Sequence, residues 1–168
     1  VSCAKCHDHP LVHDWKQDHY YGMKSFFART YSNGDFLGEK NYGLVDYKTT
    51  KGDTHQAPLM FLSGEKLTEP DNVEPDEAAK KEEKKQLEEL KKNKQPPPAP
   101  TFSRRALLVE VALKPDAAPF FSQSIVNHVW NRHFGRGLVH PVDQMHAENP
   151  ASHPELLAWL AKDFIAHG

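Results

Sequence analysis

The chain opens on the residues with the most specific chemistry in its sequence. Cys3 and Cys6 are its only cysteines, and His7 follows them directly to give the pattern Cys-x-x-Cys-His. This pattern is the attachment signature of a c-type haem: each thiol adds to a haem vinyl group, and the histidine binds the iron. The sequence therefore predicts a covalent haem c held by Cys3, Cys6 and His7.

Three other roles for the two cysteines are open. A thioredoxin-like dithiol needs a βαβ surround, which the sequence does not indicate. A structural zinc ion needs four ligands, so Cys3 and Cys6 would require two histidines as partners. A disulfide across two intervening residues closes a loop too short to add much stability. We place haem c first and zinc second.

Several histidines and methionines are candidates for further ligands. His9 lies too near His7 to reach the opposite face of the same haem, so we expect it beside the site or, with His13, on a separate metal. Met60 is the first candidate for the distal haem ligand and Met23 the second, although Met23 lies on an apolar stripe typical of a core helix. An iron without a second ligand would favour small-molecule or peroxide chemistry over electron transfer.

A second group of polar residues lies towards the end of the chain. Asp143, His146 and His153 can gather around a metal or act as acid and base. The simpler interpretation is that Asp143 pairs with Arg136 to brace a loop, while His153 assists at a helix N-terminus. We favour the simpler interpretation because no recognised metal-ligand spacing is present.

Composition divides the chain into three segments. Residues 1–69 are rich in aromatic residues, glycine and histidine, residues 70–100 form a Lys/Glu block followed by prolines, and residues 101–168 return to globular composition. The fold class predicted is mainly α with a small β-hairpin. A c-type-haem segment would then be joined to a helical segment by a charged, Pro-rich linker.

Periodicity and turn residues place the individual elements. The predicted hairpin pairs a strand over residues 42–47 with one over residues 57–62, and Lys51-Gly52-Asp53 offers a turn between them. The last helix should begin at Ser152, which with Glu155 forms a capping box. Four further helices are predicted, over residues 16–30, 76–94, 103–113 and 119–134.

Charge and hydropathy exclude two classes of partner. Lys and Arg number 21 against 23 Asp and Glu, so there is no basic field for nucleic acid. No apolar run approaches the roughly 20 residues of a membrane span.

The chain does not begin with Met and shows no signal-peptide pattern. We therefore expect a piece of a longer polypeptide, with export inferred from the haem motif alone.

Motifs at both ends of the chain resemble two companion families of secreted planctomycete proteins. The first set resembles the end of a PSCyt-type domain, and the second resembles the start of the PSD-type domain that usually follows it. The first set is Cys-Ala-Lys-Cys-His-Asp-His-Pro (3–10), Tyr-Tyr-Gly (20–22) and Phe-Phe-Ala-Arg-Thr (26–30); the second is Asn-His-Val-Trp (127–130), Phe-Gly-Arg-Gly-Leu-Val (134–139) and Ser-His-Pro-Glu-Leu-Leu (152–157).

This resemblance implies a periplasmic or secreted location, haem c on Cys3, Cys6 and His7, and a larger parent protein. It supplies no reaction, because both domains are of unknown function. The function predicted is therefore an extracytoplasmic electron-transfer segment, whose partner is a redox protein or the remainder of the parent polypeptide. The alternatives are a haem- or metal-dependent enzyme acting on a small molecule or glycan, and a zinc-stabilised binding module without catalytic activity.

Overall fold

The computed structural model describes residues 2–10, 12–13, 15–71, 73–114 and 120–167. Within these residues the chain forms five α-helices and three antiparallel strand pairs, so it is mainly α with β-hairpins. It divides into two compact units, Val1–Asp8 with Trp15–Leu108 and His9–Asp14 with Val109–Gly168. The three segments 1–69, 70–100 and 101–168 stay a prediction, because a division into compact units does not test which domain each segment belongs to.

The helices lie where the periodicity of the sequence predicts them, with shorter ends. Their bounds are α1 Gln17–Phe27, α2 Glu77–Lys92, α3 Arg104–Ala112, α4 Phe120–Phe134 and α5 Pro154–His167. Asp76 caps α2, since its side chain accepts a hydrogen bond from the Ala79 N–H at 2.7 Å. Gly135 adopts φ +75° directly after α4, as expected of a helix stop. Among the described helices, none is long and apolar enough to cross a bilayer.

Three hairpins supply the strands of the first unit. Their bounds are β1 Thr30–Asn33 with β2 Phe36–Glu39, β3 Asp46–Lys48 with β4 Thr54–Gln56, and β5 Leu59–Met60 with β6 Lys66–Leu67. The turn predicted at Lys51-Gly52-Asp53 is confirmed between β3 and β4. The predicted second strand over residues 57–62 is wrong, because β3 pairs with Thr54–Gln56 and Leu59–Met60 pairs with β6. The β1–β2 hairpin was not predicted, although Gly34-Asp35 between paired Asn33 and Phe36 is a typical two-residue hairpin loop.

Helix α1 packs closely on β5 because it has a glycine at the contact. A Cβ added at Gly22 would lie 2.7 Å from the Met60 Cβ and 3.0 Å from the Met60 carbonyl oxygen. No side chain fits such a gap without moving the strand. Gly22 therefore sets the distance between the helix and the strand.

Helices α4 and α5 pack together in the second unit over a core of Leu138, Val139 and Leu157. The apolar face of α4 is only partly buried, because Val126 and Trp130 pack against this core while Val129 is 51 % exposed and Phe134 is 67 % exposed. The side chains of α4 that are buried are polar, Ser122 and Asn127. Asn127 meets the backbone of the loop after α4, which requires hydrogen bonds and not apolar surface.

The start of α5 also differs from the prediction. The Ser152 N–H and hydroxyl both donate to the Leu138 carbonyl, at 2.8 and 3.2 Å. In a capping box the Ser152 N–H would donate to the Glu155 side chain. Because it donates to Leu138 instead, the predicted capping box is wrong. The helix begins at Pro154, and its first backbone bond runs from the Leu157 N–H to the His153 carbonyl at 3.1 Å.

Candidate functional site

The Cys-x-x-Cys-His segment is held through its backbone. Ser2–Lys5 forms a short 3₁₀ helix, and Ala4 within it is fully buried. The Lys5 carbonyl accepts two hydrogen bonds from α1, one from Gln17 Nε2 at 3.4 Å and one from the Tyr21 hydroxyl at 3.2 Å. Helix α1 therefore fixes the stretch of backbone between the two cysteines.

The reactive side chains that follow this short helix face solvent. Cys6 is exposed and, within the described residues, forms no disulfide. His7 is also exposed, and its Nδ1 lies 2.6 Å from the Asp8 carbonyl oxygen. A carbonyl only accepts hydrogen bonds, so we infer that Nδ1 carries the proton and that Nε2 keeps its lone pair. Cys3 belongs to the short helix, and its side chain lies outside the described part of the chain.

These residues fit a covalent haem on two points. An exposed thiol at Cys6 is accessible to a vinyl group. The inferred tautomer of His7 is the one that metal-bound histidines usually adopt, with the second ring nitrogen donating to a carbonyl. Both residues follow the short helix, so a group bound to them need not disturb the buried Ala4.

The two methionines predicted as distal ligands lie in different surroundings. Met60 is 3 % exposed on β5, where its Cβ packs against Gly22. Met23 is half-buried on α1. A haem iron bound by Met60 would have to reach into the core of the first unit. The assignment of Met60 or Met23 as distal ligand stays a prediction.

The histidines after the motif belong to the second unit. His9 Nδ1 accepts a hydrogen bond from the Val12 N–H at 3.0 Å, so the neutral ring carries its proton on Nε2. His13 is exposed. Among the described residues, no group of three or more His, Cys, Asp or Glu side chains is placed to hold a metal ion. The separate metal on His9 and His13, like the alternative zinc site, stays a prediction.

Stacked tyrosines connect α1 to the β3–β4 hairpin. The rings of Tyr21 and Tyr47 lie 4.2 Å apart and are inclined by 10°. The Tyr47 hydroxyl donates a hydrogen bond to Asp18. Burial, together with that hydrogen bond, raises the pKa of Tyr47 above its ordinary value. Since Tyr21 also holds the Lys5 carbonyl, the hairpin supports the motif through this stack.

Asn127 organises the loop after α4 in the second unit. Its side-chain amide donates to the Val139 carbonyl at 2.9 Å and accepts from the Val139 N–H at 2.9 Å. It is fully buried. A Cβ added at Gly137 would lie 2.4 Å from the Val139 carbonyl oxygen and 2.9 Å from Asn127 Oδ1, so this tight loop requires glycine there.

The polar residues beyond this loop do not assemble as predicted. Asp143 Oδ1 lies 3.5 Å from His128 Nε2, so the predicted pair of Asp143 with Arg136 is wrong. Among the described residues, Asp143, His146 and His153 form no group that could hold a metal ion. His153 does lie at the beginning of α5, with Nδ1 3.2 Å from the Ser152 hydroxyl.

A buried ion network in the first unit was missed by sequence reasoning. Arg104 is 2 % exposed and binds Glu69 through two bonds, from Nε at 2.8 Å and from Nη2 at 2.6 Å. Glu39 accepts from the Arg104 N–H at 2.7 Å and from the Ser103 hydroxyl at 2.6 Å. Ser103 is a recognisable N-cap residue, but no local spacing links it to carboxylates so distant in sequence.

Comparison with known proteins identifies part of the second half of the chain. Residues 104–168 match the family model described as PSD1, a protein of unknown function (DUF1553). This match supports the predicted start of a PSD-type domain. No curated protein and no solved structure matches the chain significantly. The resemblance of residues 2–31 to a PSCyt-type domain, and the planctomycete context, stay predictions.

Proposed function

We propose that the chain is a c-type haem-binding, electron-transfer segment of a protein that works outside the cytoplasm. The observation that supports it most directly is His7, whose Nδ1 faces the Asp8 carbonyl at 2.6 Å and whose Nε2 is left for a metal. The haem would be attached to Cys3 and Cys6, and when bound it supplies one-electron chemistry.

The chain's own residues would hold and tune this site. The Asp8 carbonyl orients the His7 ring and fixes the tautomer that leaves Nε2 for a metal. Gln17 and Tyr21 hold the backbone between the cysteines through the Lys5 carbonyl. A rigid attachment of this kind keeps reorganisation small when the charge of a bound group changes.

The proposed location follows from the cofactor and from the family resemblance. Covalent haem attachment and export are implied together by the PSCyt-type motifs of the first segment. We therefore propose a periplasmic or secreted protein whose partner is a redox protein or the rest of its own polypeptide.

The test is attachment of haem in cells that carry a cytochrome c maturation system. The intact mass of the full chain should increase by one haem. Cys3→Ala and Cys6→Ala should each lose the two-thioether product, and His7→Ala should change the visible spectrum of the ferrous haem. His133→Ala, an exposed histidine on α4 outside the motif, is the matched control and should retain both signals.

Two results would count against the proposal. Haem that stays covalently attached in the double variant Cys3→Ala/Cys6→Ala would exclude the motif as the attachment site. A purified chain that contains zinc and no iron would establish the zinc-stabilised alternative. If haem is attached, reversible one-electron voltammetry supports electron transfer, whereas rapid binding of cyanide or peroxide to the ferric protein supports the enzymatic alternative.

A further inference from the structure

An open cleft of about 530 Å³ lies in the second unit, between the turn after α4 and the beginning of α5. This volume is in the range of small-molecule sites. Arg136, His140 and His153 line it, together with Trp130. Among the described residues, no aspartate or glutamate lines the cleft.

Hydrogen bonds to the loop backbone fix the walls of this cleft. Asn127 holds Val139 on one side, and Ser152 holds the Leu138 carbonyl on the other. These bonds bring the turn that carries Arg136 next to the start of α5. The basic side chains therefore stand on a backbone that is already positioned, which lowers the entropic cost of binding a ligand.

No acidic side chain among the described residues of the cleft lining neutralises the positive charge of Arg136. Within the described part of the chain, Arg136 makes no hydrogen bond or ion pair. Glu148 and Glu155, the acidic residues closest to the cleft in sequence, are exposed and do not line it. The N-terminus of α5, a helix of 14 residues, adds partial positive charge at the same wall.

The geometry points to a binding site for a small organic carboxylate. The carboxylate would pair with the planar guanidinium of Arg136, between His140 and His153, since this fork matches a carboxylate in two hydrogen bonds. The uncharged part of the ligand would rest on Trp130. An inorganic anion would pair with Arg136 but would not contact Trp130, and it would leave most of the cleft volume empty.

Titration of the full chain with benzoate, followed by assigned amide and indole NMR signals, tests this site. We expect saturable shifts at the Trp130 indole N–H and at the amides of residues 136–140 and 155–156. Benzamide has the same shape without the charge, and it should bind at least about tenfold more weakly. Inorganic phosphate and sulfate should also bind more weakly than benzoate.

Variants separate the cleft from general attraction of anions. Arg136→Gln should weaken benzoate binding at least about tenfold, while its melting temperature, followed by circular dichroism, shows that the fold is retained. Arg132→Gln removes an exposed charge on α4 outside the cleft lining and should leave binding unchanged. Equal binding of benzoate and benzamide, or equal effects of the two variants, would overturn the proposal. So would tighter binding of phosphate than of benzoate.

Discussion

At several places in this molecule, one buried polar side chain holds a loop or a helix end in position through hydrogen bonds. Asn127 pairs with both backbone groups of Val139, as a neighbouring β-strand would, and it does so from inside a helix. Because the Asn127 amide is fully buried, the Val139 N–H and carbonyl could not hydrogen-bond to water if that amide were removed. The sequence shows an asparagine on an apolar helix, but only the structure shows what it binds.

Replacing Asn127 should destabilise the second unit. Asn127→Ala leaves a buried N–H and C=O without partners, so we expect a loss of about 2–4 kcal/mol in the free energy of unfolding. Asn127→Asp should cost more, because a carboxylate cannot donate to the Val139 carbonyl and would be charged in a buried site. Urea unfolding monitored by circular dichroism measures both.

The matched control is Asn131→Ala, one turn further along α4 and half-buried. It should change the free energy of unfolding by less than about 1 kcal/mol. Equal losses for the variants at 127 and 131 would contradict the role given to Asn127.

Tyr47 should make stability depend on pH in the alkaline range. Burial and the Asp18 hydrogen bond raise its pKa in the folded state. Its contribution to stability is therefore complete below the pKa of the unfolded chain, about 10, and is lost as the pH rises towards the folded pKa. Across that window the free energy of unfolding should fall by up to about 1.4 kcal/mol per pH unit from this group.

Chemical unfolding between pH 8 and 11 measures this slope. Tyr47→Phe removes the titrating hydroxyl and should flatten the slope, whereas Tyr20→Phe on α1 should preserve it. A slope that is the same in the wild-type chain and in Tyr47→Phe would assign the effect to other groups.

At the scale of elements, the charged helix α2 is docked and not free. Asn33 Nδ2 donates to the Leu87 carbonyl at 3.1 Å, and the Tyr42 hydroxyl donates to Glu83 Oε2 at 2.5 Å. Lys40 donates in turn to the Tyr42 hydroxyl at 3.0 Å, and this bond is the main cause of the raised pKa of Lys40. Polar side chains thus hold a helix that has little apolar surface to bury.

Removing these two bonds should loosen α2 without unfolding the first unit. Asn33→Ala combined with Tyr42→Phe should lower the free energy of local opening by about 1–3 kcal/mol, since each bond contributes about 0.5–1.5 kcal/mol. Amide hydrogen exchange in residues 83–91 should then accelerate about tenfold, measured by mass spectrometry.

Thr54→Ala, at an exposed position on β4, is the control and should leave the exchange of α2 unchanged. Acceleration spread evenly over the first unit would indicate global destabilisation and contradict the docking described here.

Glycines decide how closely two pairs of elements approach. Gly22 lets α1 lie against Met60 of β5. On the β1–β2 hairpin, a Cβ at Gly38 would meet the ring of Tyr31, its cross-strand partner, at 2.4 Å. An aromatic ring that covers a glycine on the opposite strand stabilises such short sheets. Neither role is visible in the sequence, because each depends on the element opposite.

At the scale of the whole chain, buried charges anchor the first turn of α3 in the first unit. Arg104 binds Glu69, and Arg29 approaches the same carboxylate at 3.3 Å. Burial and the neighbouring Arg104 lower the pKa of Arg29, against the opposing effect of Glu69 and Glu39. Arg104 is also the first residue matched by the PSD1 family model.

Losing one partner of the Arg104–Glu69 pair should cost more than losing both charges. Arg104→Met leaves Glu69 short of a partner, so we expect a loss of about 3–5 kcal/mol in the free energy of unfolding. Arg104→Met combined with Glu69→Gln should recover part of that loss, because no buried carboxylate is then left without Arg104, while the amide oxygen can still accept from Arg29. Arg132→Met, at an exposed position, is the control. A double variant no more stable than Arg104→Met alone would argue against a direct pair.

Features that depend on neighbouring residues could be predicted from the sequence. The helices and the turn at Lys51-Gly52-Asp53 follow from periodicity and turn residues, which act over a few positions. The haem chemistry of Cys-x-x-Cys-His rests on the motif alone and stays a prediction. The Gly34-Asp35 hairpin was equally local and could have been predicted from its loop.

Only the tertiary structure decided which polar groups meet. Glu39 and Glu69 reach Arg104 from 65 and 35 residues away, and Asn127 turns the buried side of α4 towards a loop. The carboxylate cleft is assembled from a turn and a helix start that are separate in sequence. Hydrogen bonds and ion pairs between distant residues leave no period in a sequence, since each needs one matched partner at one place in the fold.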